Sequence, residues 1–269
     1  MKPLHYDTII FDLDGVVTDT AKVHAMAWKA LFDDYLQTRT LQFNEAFRVF
    51  DIEEDYASYL DGKPRYDGVR SFLGSRGIAL ADGDPTNGPE RETVCGLGNR
   101  KDRIFSKVLR DNGVKVFDST VRLVRELEKM KIWRAVASSS KNCRSVLQIA
   151  GLENLFDTIV DGVLSADLKL RGKPDPDIFL KCVELLGTTP ERTVVVEDAI
   201  SGVQAGRNGG FGLVIGIDRA GLGEQLQKNG ADVVVTDLIR VSHHTIDSWF
   251  DMKNKISRSI PHSSTLHTL

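Results

Sequence analysis

Ile9-Ile10-Phe11-Asp12-Leu13-Asp14-Gly15-Val16 is an apolar run that ends abruptly in two carboxylates two residues apart. On an extended backbone, residues i and i+2 point the same way. Asp12 and Asp14 therefore project together from the carboxyl end of a buried strand, the end at which open α/β sheets bind ligands. Two like charges this close repel unless a cation or a shared proton lies between them. Gly15 then allows a sharp turn. A hard divalent cation, a nucleophilic carboxylate and a second carboxylate for proton transfer make phosphoryl transfer the expected chemistry. Taken alone, the same pattern also fits a solvated turn after a strand.

Three further stretches bear on that choice. Arg134-Ala135-Val136-Ala137-Ser138-Ser139-Ser140-Lys141-Asn142 is a second short strand that ends in polar groups. The Ser138 hydroxyl and the free N–H groups of a following helix suit an anion, while Lys141 and Asn142 add a charge and an amide. A Ser-rich helix cap is the competing reading of this stretch. In Gly172-Lys173-Pro174-Asp175-Pro176-Asp177, Asp175 reads as an N-cap and Pro176 as the first helical residue. That helix carries Ile178, Phe179, Cys182, Leu185 and Leu186 on one face and stops at Gly187. Lys173, just ahead of it, reaches a phosphate as a point charge. Thr193-Val194-Val195-Val196-Glu197-Asp198 is another buried strand ending in acidic groups. Asp198 and Asp12 are candidate Mg²⁺ ligands, and Glu197 helps directly or through water.

These four stretches, in this order, resemble the four motifs of the haloacid dehalogenase superfamily of phosphohydrolases and phosphomutases. The resemblance implies that Asp12 is a nucleophile forming an aspartyl-phosphate and Asp14 a general acid/base. It implies that Ser138 and Lys173 bind the transferring phosphoryl group, and that Asp198 holds Mg²⁺ with Asp12 and the Asp14 carbonyl. Thr18-Asp19-Thr20-Ala21-Lys22-Val23-His24-Ala25-Met26-Ala27-Trp28 further resembles the β-phosphoglucomutase-like family. Thr20 is then a hinge, His24 supports proton handling near Asp14, and Trp28 packs a cap domain. By the same resemblance Ser138, Ser139, Ser140, Lys141 and Asn142 grip the sugar phosphate. Asp61-Gly62-Lys63-Pro64-Arg65 places Arg65 as the holder of a non-transferring phosphate, and Lys101 is a second cap contact, each competing with a plain surface cation. A turn-rich insertion, Ala81 to Pro89, lengthens the cap, and the runs Asp61–Val69 and Cys95–Lys101 resemble a branch that also includes hydrolases linked to trehalose metabolism. Two activities follow as expectations. One is a Mg²⁺-dependent phosphomutase converting β-glucose 1-phosphate to glucose 6-phosphate; the other is a sugar-phosphate phosphatase, with trehalose 6-phosphate as an example. A phospho-accepting receiver domain is the rival from another class, but it has its acidic pair first and its phosphorylated aspartate later, and no cap.

The expected fold is α/β: a doubly wound, Rossmann-like parallel sheet core with an inserted helical cap domain. Apolar runs at Thr8–Phe11, Ala135–Ala137, Thr158–Val160, Val194–Val196, Leu213–Ile217 and Val233–Val235 predict the strands. Ser119 reads as the cap of a helix carrying Val121, Val124, Leu127 and Met130. Residues 1–18 and 113–240 would form the core and 19–112 the cap, with Trp28, Leu31, Phe32, Phe43, Phe47 and Phe50 as the cap's own core. Residues 241–269 read as a helix with a stripe of Ile246, Trp249, Phe250 and Ile256, followed after Lys255 by a flexible Ser-, His- and Thr-rich tail.

The 269 residues, 41% of them hydrophobic, suit one core domain and one smaller domain. A net charge of −3 with scattered basic residues gives no argument for nucleic-acid binding, and none is expected. No run approaches a membrane span, and no signal peptide is expected. Cys95, Cys143 and Cys182 are odd in number and lack metal spacing, so reduced thiols in a cytoplasmic monomer are expected.

Overall fold

The computed structural model describes residues 4–43 and 48–259. The chain opens with β1 (Thr8–Phe11) and then leaves the sheet for a helical excursion. That excursion comprises α1 (Ala21–Phe43), a π-turn at Ile52–Tyr56 running into the short α2 (Ala57–Tyr59), α3 (Arg65–Ser75) and α4 (Val94–Asn112). The chain returns through α5 (Asp118–Lys129) to β2 (Trp133–Ala137), α6 (Cys143–Ile149), β3 (Thr158–Val160), α7 (Gly162–Asp167) and α8 (Asp177–Leu186). It finishes with β4 (Thr193–Glu197), α9 (Ile200–Asn208), β5 (Leu213–Ile217), α10 (Gly223–Asn229), β6 (Val233–Val235) and α11 (His243–Ser259).

The six strands form one sheet in the order β3-β2-β1-β4-β5-β6, and every pair is parallel. Alternation along β1 sends Ile9 and Phe11 to one face and Ile10 to the other. Ile9 and Phe11 join Val136, Val194 and Val196 beneath α5, α6 and α11. Ile10 joins Ala135, Val160 and Val195 beneath α8, α9 and α10. Both faces are covered, which is why these strands read as continuous apolar runs. The doubly wound parallel sheet is therefore as the sequence implied.

The helices from α1 to α4 have their own apolar core. Phe32 lies at the centre, with ring centroids 5.3 Å from Trp28, 5.7 Å from Phe50 and 4.1 Å from Phe72. Phe43 is not part of it: at 58% exposure it lies at the end of α1 facing solvent. Phe47 lies outside the described residues. The turn-rich segment after α3 contains no regular element until Thr93, whose hydroxyl accepts the Gly96 N–H and caps α4.

Several local expectations are corrected. Ser119 does not cap α5; that helix begins at Asp118, and the next residue, Thr120, instead bonds the Val16 carbonyl at 2.7 Å. Asp175 is not the N-cap of α8 and Pro176 is not its first residue. Pro176 is the capping position, Asp175 pairs with Arg171, and the helix starts at Asp177. Its buried face is Ile178, Phe179, Cys182 and Val183, whereas Leu185 is exposed. Gly187 ends the helix in the left-handed conformation, as read. The C-terminal helix continues past Lys255 to Ser259, with Ile246 and Phe250 buried on the core. Residues 260–269 lie outside the described residues, as does the side chain of Ile256. Among the described residues no helix is long and apolar enough to cross a membrane.

Candidate active site

Strand order sets the site. β1 lies between β2 and β4, so the residues that leave their carboxyl ends converge. Asp12 leaves β1 with its N–H on the Val196 carbonyl at 3.0 Å, and Ser138 leaves β2 with its N–H on the Val160 carbonyl at 3.0 Å. Glu197 closes β4 and is fully buried. A cleft over these ends is roofed by the helical insertion. It is lined from the core by Asp12, Asp14, Ser138, Ser139, Ser140, Lys141, Asn142, Glu197 and Asp198, and from the cap by His24, Trp28, Tyr56, Asp61, Lys63, Arg65 and Lys101.

Lys173 is the electrostatic hub of the floor. Its ammonium is buried and lies 2.6 Å from Asp12 Oδ1 and 2.5 Å from Glu197 Oε1. Burial alone would lower its pKa, but the two carboxylates outweigh burial and raise it. Glu197 Oε2 accepts the N–H groups of Asp198 and Ala199 at 2.9 and 3.0 Å. Both oxygens of Glu197 are thus committed to holding Lys173 and the β4 turn. Burial raises the Asp12 carboxyl well above its ordinary range; Lys173 opposes this, and Glu197 and Asp14 add to it. Asp198 is raised by burial and then by Asp61, Glu197, Asp12 and Asp14.

Gly15 brings the first turn against Asp198. It has φ +87°, and a Cβ there would fall 1.7 Å from Asp198 Oδ2. Asp12 and Asp198 thus present carboxylates whose protonation is favoured first by burial and then by the neighbouring carboxylates. That is the environment a hard divalent cation relieves.

Asp14 turns the other way, toward the cap. The Thr20 hydroxyl donates to its Oδ1, and His24 Nε2 lies 3.4 Å from the same atom, close for a charge and long for a hydrogen bond. Lys101 Nζ bonds His24 Nδ1, which extends the chain to Lys101–His24–Asp14. Burial would raise Asp14, but His24, Thr20 and Lys101 together hold it below the usual carboxylate range. Burial and then Lys101 lower the His24 pKa, while Asp14 opposes them. Lys101 is no surface cation: it is 4% exposed, 5.0 Å from the Trp28 ring centroid and 4.7 Å from that of Phe105. Burial, then Arg65, lower its pKa to about 7.

On the outer side, Arg65 Nη2 and Asn142 Nδ2 both donate to Asp102 Oδ1, each at 2.6 Å. Lys141 lies over the Tyr66 ring, 5.1 Å from its centroid. Ser139 Oγ donates to the Gly62 carbonyl at 2.9 Å and Ser201 Oγ to the Asp61 carbonyl at 3.0 Å, so cap loop and core touch directly. Ser140 Oγ accepts the Asn142 N–H at 3.2 Å and shapes the loop. The sequence-derived candidates line this cleft, except Thr20 and Lys173, which lie behind it and bond Asp14 and Asp12.

The sequence reading missed Tyr56, Asp61 and Asp102. The Asp61 N–H donates to the Tyr56 carbonyl at 2.9 Å, and burial, then Glu197, raise the Asp61 carboxyl to about 7. Asp61 belonged to the same Asp-Gly-Lys-Pro-Arg run that yielded Arg65, and Asp102 directly follows Lys101. Carboxylates beside two cationic candidates were the available signal.

A haloacid dehalogenase-like hydrolase family model matches residues 6–210. A β-phosphoglucomutase of Mycobacterium tuberculosis is 51% identical over 232 residues, spanning 85% of this chain and 88% of that protein. The chain belongs to the haloacid dehalogenase-like hydrolase family. Within this family it is also 40% identical over 134 residues to a trehalose-phosphate phosphatase of Mycobacterium leprae, spanning 48% of this chain and 29% of that protein. A β-phosphoglucomutase crystal structure from Clostridium difficile superposes with a TM-score of 0.73 at 24% identity, covering 93% of this chain and 99% of that one. That likeness speaks for the haloacid dehalogenase fold.

Proposed function

We propose that this protein is a β-phosphoglucomutase that moves a phosphoryl group through Asp12. The observation that carries the reading is the division of labour between the two carboxylates. Asp12 is fixed by Lys173 on the floor, while Asp14, two residues on, is turned into the Thr20–His24–Lys101 cluster of the cap. Identical side chains in opposed surroundings suit opposed roles.

Lys173 engages Asp12 Oδ1, which leaves Oδ2 as the attacking atom. In the forward cycle, phosphorylated Asp12 yields its phosphoryl group to the 6-hydroxyl of β-glucose 1-phosphate, and Asp14 takes the hydroxyl proton. The bisphosphate turns over in the cleft. Asp12 then attacks the 1-phosphate, and Asp14 returns the proton to the departing sugar oxygen. Ser138, the N–H groups of its loop and Lys173 stabilise the transferring group. Arg65, Ser139, Ser140, Lys141 and Asn142 hold the other phosphate. Thr20, His24 and Lys101 set the proton on Asp14. Asp12, Asp198 and the Asp14 carbonyl would hold Mg²⁺, which when bound offsets charge on the transferring oxygens. Glu197 serves by anchoring Lys173. The core would comprise 1–18 and 113–240, the cap 19–112, and 241–269 a C-terminal extension.

A sugar-phosphate phosphatase, acting for instance on trehalose 6-phosphate, shares the first half-reaction; water then attacks the aspartyl-phosphate. The turn-rich segment between α3 and α4 and the trehalose-phosphate phosphatase relative support it as the second reading. The test is incubation with β-glucose 1-phosphate, Mg²⁺ and a glucose 1,6-bisphosphate primer, following glucose 6-phosphate and inorganic phosphate together. Glucose 6-phosphate without phosphate release is the expected result. Phosphate release alone overturns the mutase reading in favour of the phosphatase.

A further inference from the structure

Asp102, on α4 behind the cleft-lining residues Arg65 and Asn142, takes donors from both the cap and the core. Arg65 reaches it from α3 of the cap and Asn142 from the loop after β2 of the core, and both bond the same oxygen at 2.6 Å. Arg65 is held there by its stem: it crosses α4 at Gly98, where a Cβ would fall 3.2 Å from Arg65 Cδ and 2.8 Å from the Tyr66 ring. A cationic fork and an amide converging on one anionic oxygen is the donor arrangement of a phosphate site. Here the protein's own carboxylate fills it.

We propose that Asp102 is a specificity-determining positioning residue whose carboxylate stands in for the distal phosphate, keeping cap and core together until a stronger anion displaces it. The inference rests on the reading above, in which Arg65 and Asn142 hold the non-transferring phosphate. Asp102 carries one negative charge, and a phosphate near neutral pH carries up to two with three acceptor oxygens. A phosphate outcompetes the carboxylate for the same two donors, whereas a neutral sugar hydroxyl does not. Asp102 thus makes the distal end selective for a second phosphate. It also supplies a cross-cleft contact that persists without substrate, beside the Ser139–Gly62 and Ser201–Asp61 bonds.

Two readouts separate this role from simple scaffolding. In an Asp12→Asn background, which binds without turnover, Asp102→Ala should tighten glucose 1,6-bisphosphate by about tenfold in calorimetry, as competition by one charge-assisted contact implies. Inorganic phosphate, which needs only the proximal site, should bind within about twofold of the parent. In the ligand-free protein, backbone hydrogen exchange over residues 138–142 should speed up by about tenfold as the cross-cleft bond is lost. Asp102→Asn keeps an acceptor without the charge. It should tighten the bisphosphate by about threefold, and it carries the affinity test should the alanine variant fail to fold. Weaker or unchanged bisphosphate binding overturns the proposal, and so does unchanged exchange. Failure of the parent to bind any bisphosphate counts instead against the mutase reading, and the exchange comparison still decides whether Asp102 bridges the cleft.

Discussion

Replacing Lys173 by Met tests the floor of the site. The ammonium makes two charge-assisted bonds in a fully buried setting, to Asp12 and Glu197. Each such bond is worth roughly 1.5–3 kcal/mol, so their loss amounts to roughly 3–6 kcal/mol. That agrees with the ~3–5 kcal/mol lost when one partner of a buried pair is removed. The deficit depends on pH, and its sign follows from Asp12. Its folded pKa is raised even with Lys173 present, and without the ammonium it rises further. A carboxyl raised in the folded state is satisfied below its unfolded pKa of about 4, where it is protonated in both states. It becomes a liability as pH climbs through the folded value. Lys173 itself is raised, so its contribution is fully present below about 10.4 and does not change between pH 5 and 8. The stability gap between wild type and Lys173→Met should therefore stay level or widen, and never narrow, from about pH 5 to about pH 8. Urea unfolding in chelator, with equal slopes in both proteins, measures this directly. A gap under about 1 kcal/mol at both pH values, or one that narrows with rising pH, would refute the electrostatic reading of the floor.

Other perturbations have equally definite outcomes. Asp12→Asn should abolish turnover, because an amide cannot form the acyl-phosphate; full activity with any phosphate ester would end the mechanism. Asp14→Asn should slow turnover by roughly 10²–10⁴-fold while the protein still traps a phosphoryl group on Asp12, as followed by radiolabel in the quenched enzyme. Phe72→Ala should cost the cap about 3–5 kcal/mol by opening a void against Phe32 and Phe50, seen as a lowered denaturation midpoint. Gly15→Ala should cost Mg²⁺-dependent activity by pushing the Asp198 carboxylate aside, and raising Mg²⁺ should restore it only in part; wild-type Mg²⁺ dependence would contradict that packing.

The sheet was legible because both of its faces are covered: β1, β4 and β5 are apolar at nearly every position, and abrupt polar endings mark where they stop. Most of the floor was legible for the same reason, since Asp12, Ser138 and Glu197 stand at the ends of buried runs; Lys173, in the loop before α8, does not. Helix starts were less so. Ser119 and Asp175 each have cap chemistry, yet α5 already starts at Asp118, with Thr120 bonded to the distant Val16 carbonyl, and Asp175 is taken up by a local pair with Arg171. Phe43 read as core by composition, but no neighbouring element covers the end of α1 among the described residues. Lys101 illustrates the limit most clearly: its burial between Trp28 and Phe105 depends on α1 and α4 packing together, and no local pattern around Lys101 encodes that. Asp61, in a turn, and Asp102, on α4, were overlooked because a carboxylate in a polar stretch looks solvated until an opposing surface is folded over it.

The way the helical insertion enters and leaves the sheet has a consequence for exchange between relatives. The Asp19 N–H bonds the Lys115 carbonyl at 2.8 Å, and Thr18 forms a β-bridge with Val116. About ninety residues thus depart and return through one doorway. Loop-closure cost grows only slowly with length, so what lies beyond the doorway is nearly free to change. The strand tips can keep one chemistry while the lid is lengthened, trimmed or replaced wholesale. A substrate repertoire can therefore turn over by grafting at residues 18–19 and 115–116, with the reaction itself left in place.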